Sequence, residues 1–288
     1  MKFNLSLVSK AALLLSCSAS FSSYAALIEG TDLHSSVGRD AAINDLFSGN
    51  QGSKGGGDQS LQFGDNLTGT NEDDVIIGGL GIDVIFGKDG DDIIIGGTED
   101  FNPANRDRAF GNGGDDVFIW APGDGNDFFD GGAGNDVLVI GIIGEKPGPN
   151  GNELGLPEFN INPLGTEGSQ DFDGIILQDN GFPFLKQAPG FCEVLDQNSI
   201  ALDESEQSLS DLNLDHLVQF SLTSVADQFD AEQSLDTGLR VSIHLKNTEF
   251  VVCHQREANE LDIFDLRTSP ITKASVDQLP AKAIILVD

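Results

Sequence analysis

One aspartate keeps a fixed place in a run of glycine-rich blocks within this 288-residue chain. Four blocks of nine residues are intact: GGLGIDVIF at Gly78 to Phe86, GKDGDDIII at Gly87 to Ile95, GNGGDDVFI at Gly111 to Ile119, and GGAGNDVLV at Gly131 to Val139. Each has glycine first and fourth, aspartate sixth and a bulky apolar residue eighth. A weaker block, Gly69 to Ile77, and a half block, Gly64 to Thr68, precede them. Two more are stretched: Gly96 to Phe110 carries an insertion around Thr98 to Ala104, and Trp120 to Asp130 runs long before Asp127. The repeated carboxylates are therefore Asp65, Asp74, Asp83, Asp92, Asp107, Asp116, Asp127 and Asp136. Glycines around them allow positive φ and a tight turn whose carbonyls point inward. A carboxylate added to those carbonyls makes an all-oxygen environment. Such a shell suits a hard cation with about six to eight ligands, which favours calcium over magnesium or zinc.

Something must hold these turns in register. The three residues after each aspartate, such as Val84-Ile85-Phe86, read as a short strand with its central side chain facing inward. The central series is Leu67, Ile76, Ile85, Ile94, Ala109, Phe118, Phe129 and Leu138, one continuous apolar file. A fixed period of this length is the signature of a repeat architecture.

These residues resemble the hemolysin-type calcium-binding repeat, the GGxGxDxUx nonapeptide of RTX proteins, over roughly residues 64–140. The resemblance implies a parallel β-roll with two repeats per turn and several calcium ions held between turns stacked on the same side. Carried over by position, it pairs Asp65 with Asp83, Asp74 with Asp92, Asp83 with Asp107, Asp92 with Asp116, Asp107 with Asp127, and Asp116 with Asp136. Thr70 and Glu72 stand where the pattern has glycine, and the insertion before Asp107 lengthens one turn on the second side.

Charge agrees with a cationic ligand. The formal net charge is -32, which disfavours nucleic acid and anionic membranes as partners. Residues 64–140 hold seventeen acidic side chains against three basic ones. Hydrophobic residues nevertheless make up 39% of the chain, too many for a wholly disordered polymer.

The first residues, with Lys2, Lys10, an apolar run to Leu15 and small residues up to Ala25, read as a secretory signal cleaved after Ala25. A rival reading takes Leu14-Leu15-Ser16-Cys17 as a lipoprotein box. Either exports the chain to the periplasm, the cell surface or the medium, and no later stretch reaches the ~20 apolar residues of a membrane-spanning helix. Cleavage at Ala25 leaves Cys192 and Cys253, which an oxidising compartment would join; two buried thiols are the alternative.

Beyond Ile140 the period stops. Leu217 to Leu222, Val241 to Lys246, Phe250 to Val252, Asp173 to Gln178, Leu261 to Leu266 and Ala283 to Val287 read as strands, with a hairpin expected across Asn247-Thr248. The fold expected is all-β: a parallel β-roll followed by a C-terminal antiparallel β-sandwich-like domain. Its divisions are a signal at 1–25, an N-terminal segment and Gly-rich linker at 26–63, the calcium-binding roll at 64–142 and a β-rich domain at 143–288. No G-x-S-x-G or H-E-x-x-H motif occurs. The expectation is a non-enzymatic adhesion or recognition protein with a glycan or cell-surface ligand. A secreted hydrolase with its site in residues 143–288, or a glycan- or ice-binding module, is the alternative.

Overall fold

The computed structural model describes residues 26–30, 63–79, 82–97, 106–121, 126–143, 145–147, 172–175, 177–187, 192–197, 209–210, 212–221, 240–254 and 261–287. The expected signal at 1–25 and residues 31–62 of the expected N-terminal segment and Gly-rich linker lie outside the described residues.

In chain order the first strands are β1 (Leu27–Glu29), β2 (Phe63–Thr68), β3 (Val75–Ile77), β4 (Ile82–Asp89), β5 (Ile93–Ile95), β6 (Arg108–Gly113), β7 (Val117–Trp120), β8 (Phe128–Ala133) and β9 (Val137–Ile143). Then come β10 (Glu145–Pro147), β11 (Phe172–Ile175), β12 (Leu185–Gln187), β13 (Cys192–Leu195), β14 (His216–Ser221), β15 (Arg240–Lys246), β16 (Phe250–His254), β17 (Leu261–Asp265), β18 (Thr272–Lys273) and helix α1 (Ala281–Val287).

Between β2 and β9 the strands go alternately to two sheets. The first sheet runs β1-β3-β5-β7-β9 in parallel and the second β8-β6-β4-β2, also in parallel. The chain thus winds as a roll, two strands per turn. Register keeps equivalent residues stacked, Ile76 on Ile94 on Phe118 on Leu138. That file meets Ile85, Ala109 and Phe129 from the second sheet in a buried inter-sheet core, where the Phe118 and Phe129 rings stack at 5.2 Å. One such buried side chain contributes ~1.5–3 kcal/mol, whereas doubling a connecting loop costs about 0.6 kcal/mol. The insertion before Asp107 therefore lengthens a connection without shifting the strands, and Ile85 still pairs with Ala109.

The first sheet is apolar on both faces. Val75, Ile77, Ile93, Ile95, Val117, Ile119, Val137 and Val139 form a separate buried cluster, closed by Phe182, Leu279, Ala283, Leu286 and Val287. Ala283 to Val287 is therefore helix, not the strand its apolar run suggests. A short apolar run fits either period, and in α1 residues 283, 286 and 287 fall on one helical face against this sheet. No helix among the described residues is long and apolar enough to cross a membrane.

The antiparallel strands of the C-terminal half extend the sheets of the roll. β13-β14-β15 joins the second sheet through a parallel β15–β8 pair, and β16-β17-β18 joins the first through a parallel β16–β9 pair. The expected hairpin between Val241 to Lys246 and Phe250 to Val252 is absent: β15 and β16 do not pair with each other. Asn247 to Glu249 instead carries the chain from one sheet to the other, as each repeat turn does. Both strands form, but each finds its buried partner in the open edge left by β8 or β9.

Cys192 of β13 and Cys253 of β16 form a disulfide, Cα–Cα 6.2 Å, that ties the two sheets together across a separation of 61 residues. The loop-entropy argument assigns such a link about 4 kcal/mol. Replacing both cysteines by serine should lower the unfolding free energy in calcium by up to roughly that amount, read from denaturant midpoints at fixed calcium.

Candidate metal centre

The eight aspartates fall into two columns, one at each edge of the roll. Asp74, Asp92, Asp116 and Asp136 precede β3, β5, β7 and β9; Asp83, Asp107 and Asp127 precede or open β4, β6 and β8, and Asp65 lies within β2. Apart from Asp65, every one of them is fully buried.

The turn geometry explains how carboxylates come to be stacked there. The second place of each intact block has positive φ: Gly79 +97°, Lys88 +89°, Asn112 +74° and Gly132 +100°. Lys88 and Asn112 adopt it at a cost that glycine avoids. At the fourth place successive turns touch, and a Cβ on Gly114 would collide with the carbonyl of Gly90. That contact sets the spacing between turns.

Within each column every aspartate is linked to the next. The Asp74 amide donates to Asp92 Oδ1 at 2.7 Å, Asp92 to Asp116 Oδ1 at 2.8 Å, and Asp116 to Asp136 Oδ1 at 2.8 Å. On the other side the Asp65 amide donates to Asp83, Asp83 to Asp107 Oδ1 at 2.7 Å, and Asp107 to Asp127 Oδ1 at 3.0 Å. All six pairs implied by the resemblance are thus brought together. One oxygen of each upper carboxylate is used by the fold.

The other oxygen poses the chemical question. Oδ2 of Asp92, of Asp116 and of Asp136 is buried with no hydrogen-bond partner among the described residues. A buried, unpartnered carboxylate oxygen is costly unless a cation meets it. Among the described residues no three His, Cys, Asp or Glu side chains converge on one point. A cation here must complete its shell with main-chain carbonyls, and the glycine turns supply them: a Cβ on Gly111 would meet both Asp116 Oδ2 and the Gly131 carbonyl. The donor set is oxygen throughout, and it fits calcium.

Comparison with known families agrees with this geometry. Residues 68–100 and 123–139 match the RTX calcium-binding nonapeptide repeat (4 copies). The chain carries RTX calcium-binding repeats. Residues 101–122 fall outside the match, although Asp107 and Asp116 keep the RTX ladder in register. No curated protein and no solved structure matches the chain.

Several contacts at the columns were not expected. The Ala26 amide donates to Asp74 Oδ1 at 3.0 Å, so β1 closes the first column from the N-terminal side. The Asp136 amide donates to Glu249 Oε2 at 2.8 Å, which closes it from the other. A signal for Glu249 was present: Glu249-Phe250-Val251-Val252 repeats the acid-then-three-apolar pattern of Asp136-Val137-Leu138-Val139. In the first column the fifth places also ladder, with Asp91, Asp115 and Asn135 amides donating to Asp73, Asp91 and Asp115 at 3.0, 2.8 and 2.8 Å. The ammonium of Lys282, from α1, reaches the Asp91 carbonyl and lies 3.2 Å from Asp73 Oδ2. It is the covering helix's counter-charge to that second ladder.

Burial, with repulsion from neighbouring carboxylates added, pushes Asp116 up to about 8 and Asp92 and Asp136 up to about 7 from the usual 3.8. In chelator the folded chain then holds protons that the unfolded chain releases near 3.8. The stability these three groups contribute is fully present below about 3.8 and is lost as pH rises toward about 8. The melting temperature in chelator should therefore fall between pH 5 and 8. Calcium affinity should rise over the same range with release of protons. Calorimetry in two buffers of different ionisation heat measures both, and a chelated chain that gains stability with pH would contradict the assignment.

Proposed function

We propose that this is an exported calcium-binding protein whose roll folds on loading several calcium ions between Asp65, Asp74, Asp83, Asp92, Asp107, Asp116, Asp127 and Asp136. The observation that carries the reading is the row of buried carboxylate oxygens at Asp92, Asp116 and Asp136. Two carboxylates about 4 Å apart repel by ~4 kcal/mol at an effective dielectric near 20. A column of them cancels what several buried apolar side chains contribute unless cations intervene. Calcium binds only the stacked turns, so its binding free energy becomes folding free energy.

The test is a calcium titration followed by circular dichroism and calorimetry on the chain starting at Ala26, the N-terminus that mass spectrometry of exported protein should return. Strand signal and melting temperature should both rise between chelator and millimolar calcium. Asp116→Asn, in the middle of the first column, should raise the calcium midpoint on the order of tenfold by removing one ligand charge. An unchanged melting temperature across the titration would sink the reading.

Within this reading the loaded roll serves adhesion or recognition, not catalysis. What favours it is a row of aromatic rings on the outer face of the second sheet. Phe86 stacks on Phe110 at 5.0 Å, Phe110 lies 5.7 Å from Phe128, and Phe86 remains 38% exposed. Partly exposed aromatic surface of this kind suits a ligand with one apolar face, such as a glycan. A glycan array probed with and without calcium should show calcium-dependent binding that Phe86→Ala abolishes; binding unaffected by Phe86→Ala would refute the assignment.

A further inference from the structure

We propose that the first aspartate column holds one calcium more than its repeats encode. The added site lies between the last repeat turn, Gly131 to Asp136, and the non-repeat turn Asn247 to Glu249, with Glu249 as its new carboxylate ligand. The proposal rests on the reading that the repeats bind calcium.

Register puts Glu249 in the sixth place of a repeat that the sequence does not spell. Phe250 pairs with Val137 and Val251 with Leu138, as Val137 and Leu138 pair with Val117 and Phe118. The Glu249 and Phe250 amides donate to the Asp136 carbonyl at 2.9 and 3.0 Å. The Val137 amide donates to the Asp116 carbonyl at 2.9 Å in the same way. Glu249 Oε2 accepts the Asp136 amide at 2.8 Å, as Asp136 Oδ1 accepts that of Asp116.

The oxygens around the glycine recur too. A Cβ on Gly111 would meet the Gly131 carbonyl and the Asp116 carboxylate. A Cβ on Gly131 would meet the Asn247 carbonyl and the Asp136 carboxyl carbon. Asp136 is fully buried and its Oδ2 has no hydrogen-bond partner among the described residues. That oxygen belongs to a carboxyl group set against the point the Asn247 carbonyl approaches. Arg267, the nearby cation, is committed to Asp265 through bonds of 2.9 and 2.7 Å.

The site differs from its neighbours in ways that set its strength. Lys246 pairs with Asp130, so only Asn247 and Thr248 stand where the repeat has the five residues 131–135. Three of the five main-chain carbonyls of the repeat turn have no counterpart there. Water must replace them, and water can arrive: Asn247, Thr248 and Glu249 also line an open cleft of about 350 Å³ with Asp215, Arg267 and Thr268. Fewer protein oxygens make this the weakest site of the column. The second column has no equivalent, because Ile243 occupies the matching register one residue before the His244–Phe128 pair.

The experiment counts calcium on the chain from Ala26 by equilibrium dialysis and titration calorimetry, wild type against Glu249→Gln. The glutamine keeps an oxygen for the Asp136 amide and removes the charge. The expected result is one ion fewer, with the weakest step missing and the tighter steps unchanged within twofold. The same ion count and the same weakest step in both would overturn the terminal site while leaving the repeat sites standing. A wild-type chain that binds no calcium would overturn both. If the variant does not fold, crystals of the wild type in a lanthanide decide: an anomalous peak within ligand distance of the Asn247 carbonyl and Glu249 supports the site, and its absence there overturns it.

Discussion

The structure depends on one constraint: carboxylates placed in register, one turn above another, away from water. Each turn brings its aspartate to the same edge because the eighth-place side chains stack in the core. The packing that stabilises the roll is thus the packing that creates the repulsion. Half of each buried carboxylate is absorbed by the amide of the neighbouring turn, and at Asp92, Asp116 and Asp136 the other half calls for a cation. On the proposed reading, folding and metal binding are two descriptions of one event.

Both ends of the column show how far this constraint reaches. The backbone amide of Ala26, just before β1, meets Asp74, and a glutamate from the C-terminal half meets Asp136. The C-terminal half thus joins the roll directly, with its strands in the same two sheets, its disulfide across them and its helix over one outer face. The division read at residue 142/143 marks where the nine-residue period ends. Strand pairing crosses it.

What the sequence revealed and what it concealed have distinct physical causes. The roll and the pairing of Asp92 with Asp116 were legible because a turn chemistry repeated at fixed spacing leaves few alternatives. The fate of β15 and β16 was not, since an alternating strand states that it has a buried face without stating against what. Glu249 was harder to find for a related reason: its turn is three residues short, so no period reaches it; the acid followed by three apolar residues hints at it, and the register of Phe250 with Val137 establishes the equivalence. The two-faced burial of the first sheet was not separable in the sequence, because Asp92-Ile93-Ile94-Ile95 of the first sheet and Asp83-Val84-Ile85-Phe86 of the second are both apolar at all three strand positions.

A stack of like turns is by nature open-ended, since any turn offers the same amides and carbonyls to the next. In the first sheet the outermost strands are β1, three residues long, and β18, two residues long and antiparallel to its neighbour. Short or reversed edge strands are poor templates for another chain. The repeats supply a geometry that would propagate from molecule to molecule, and the segments flanking them convert it into a particle of fixed length.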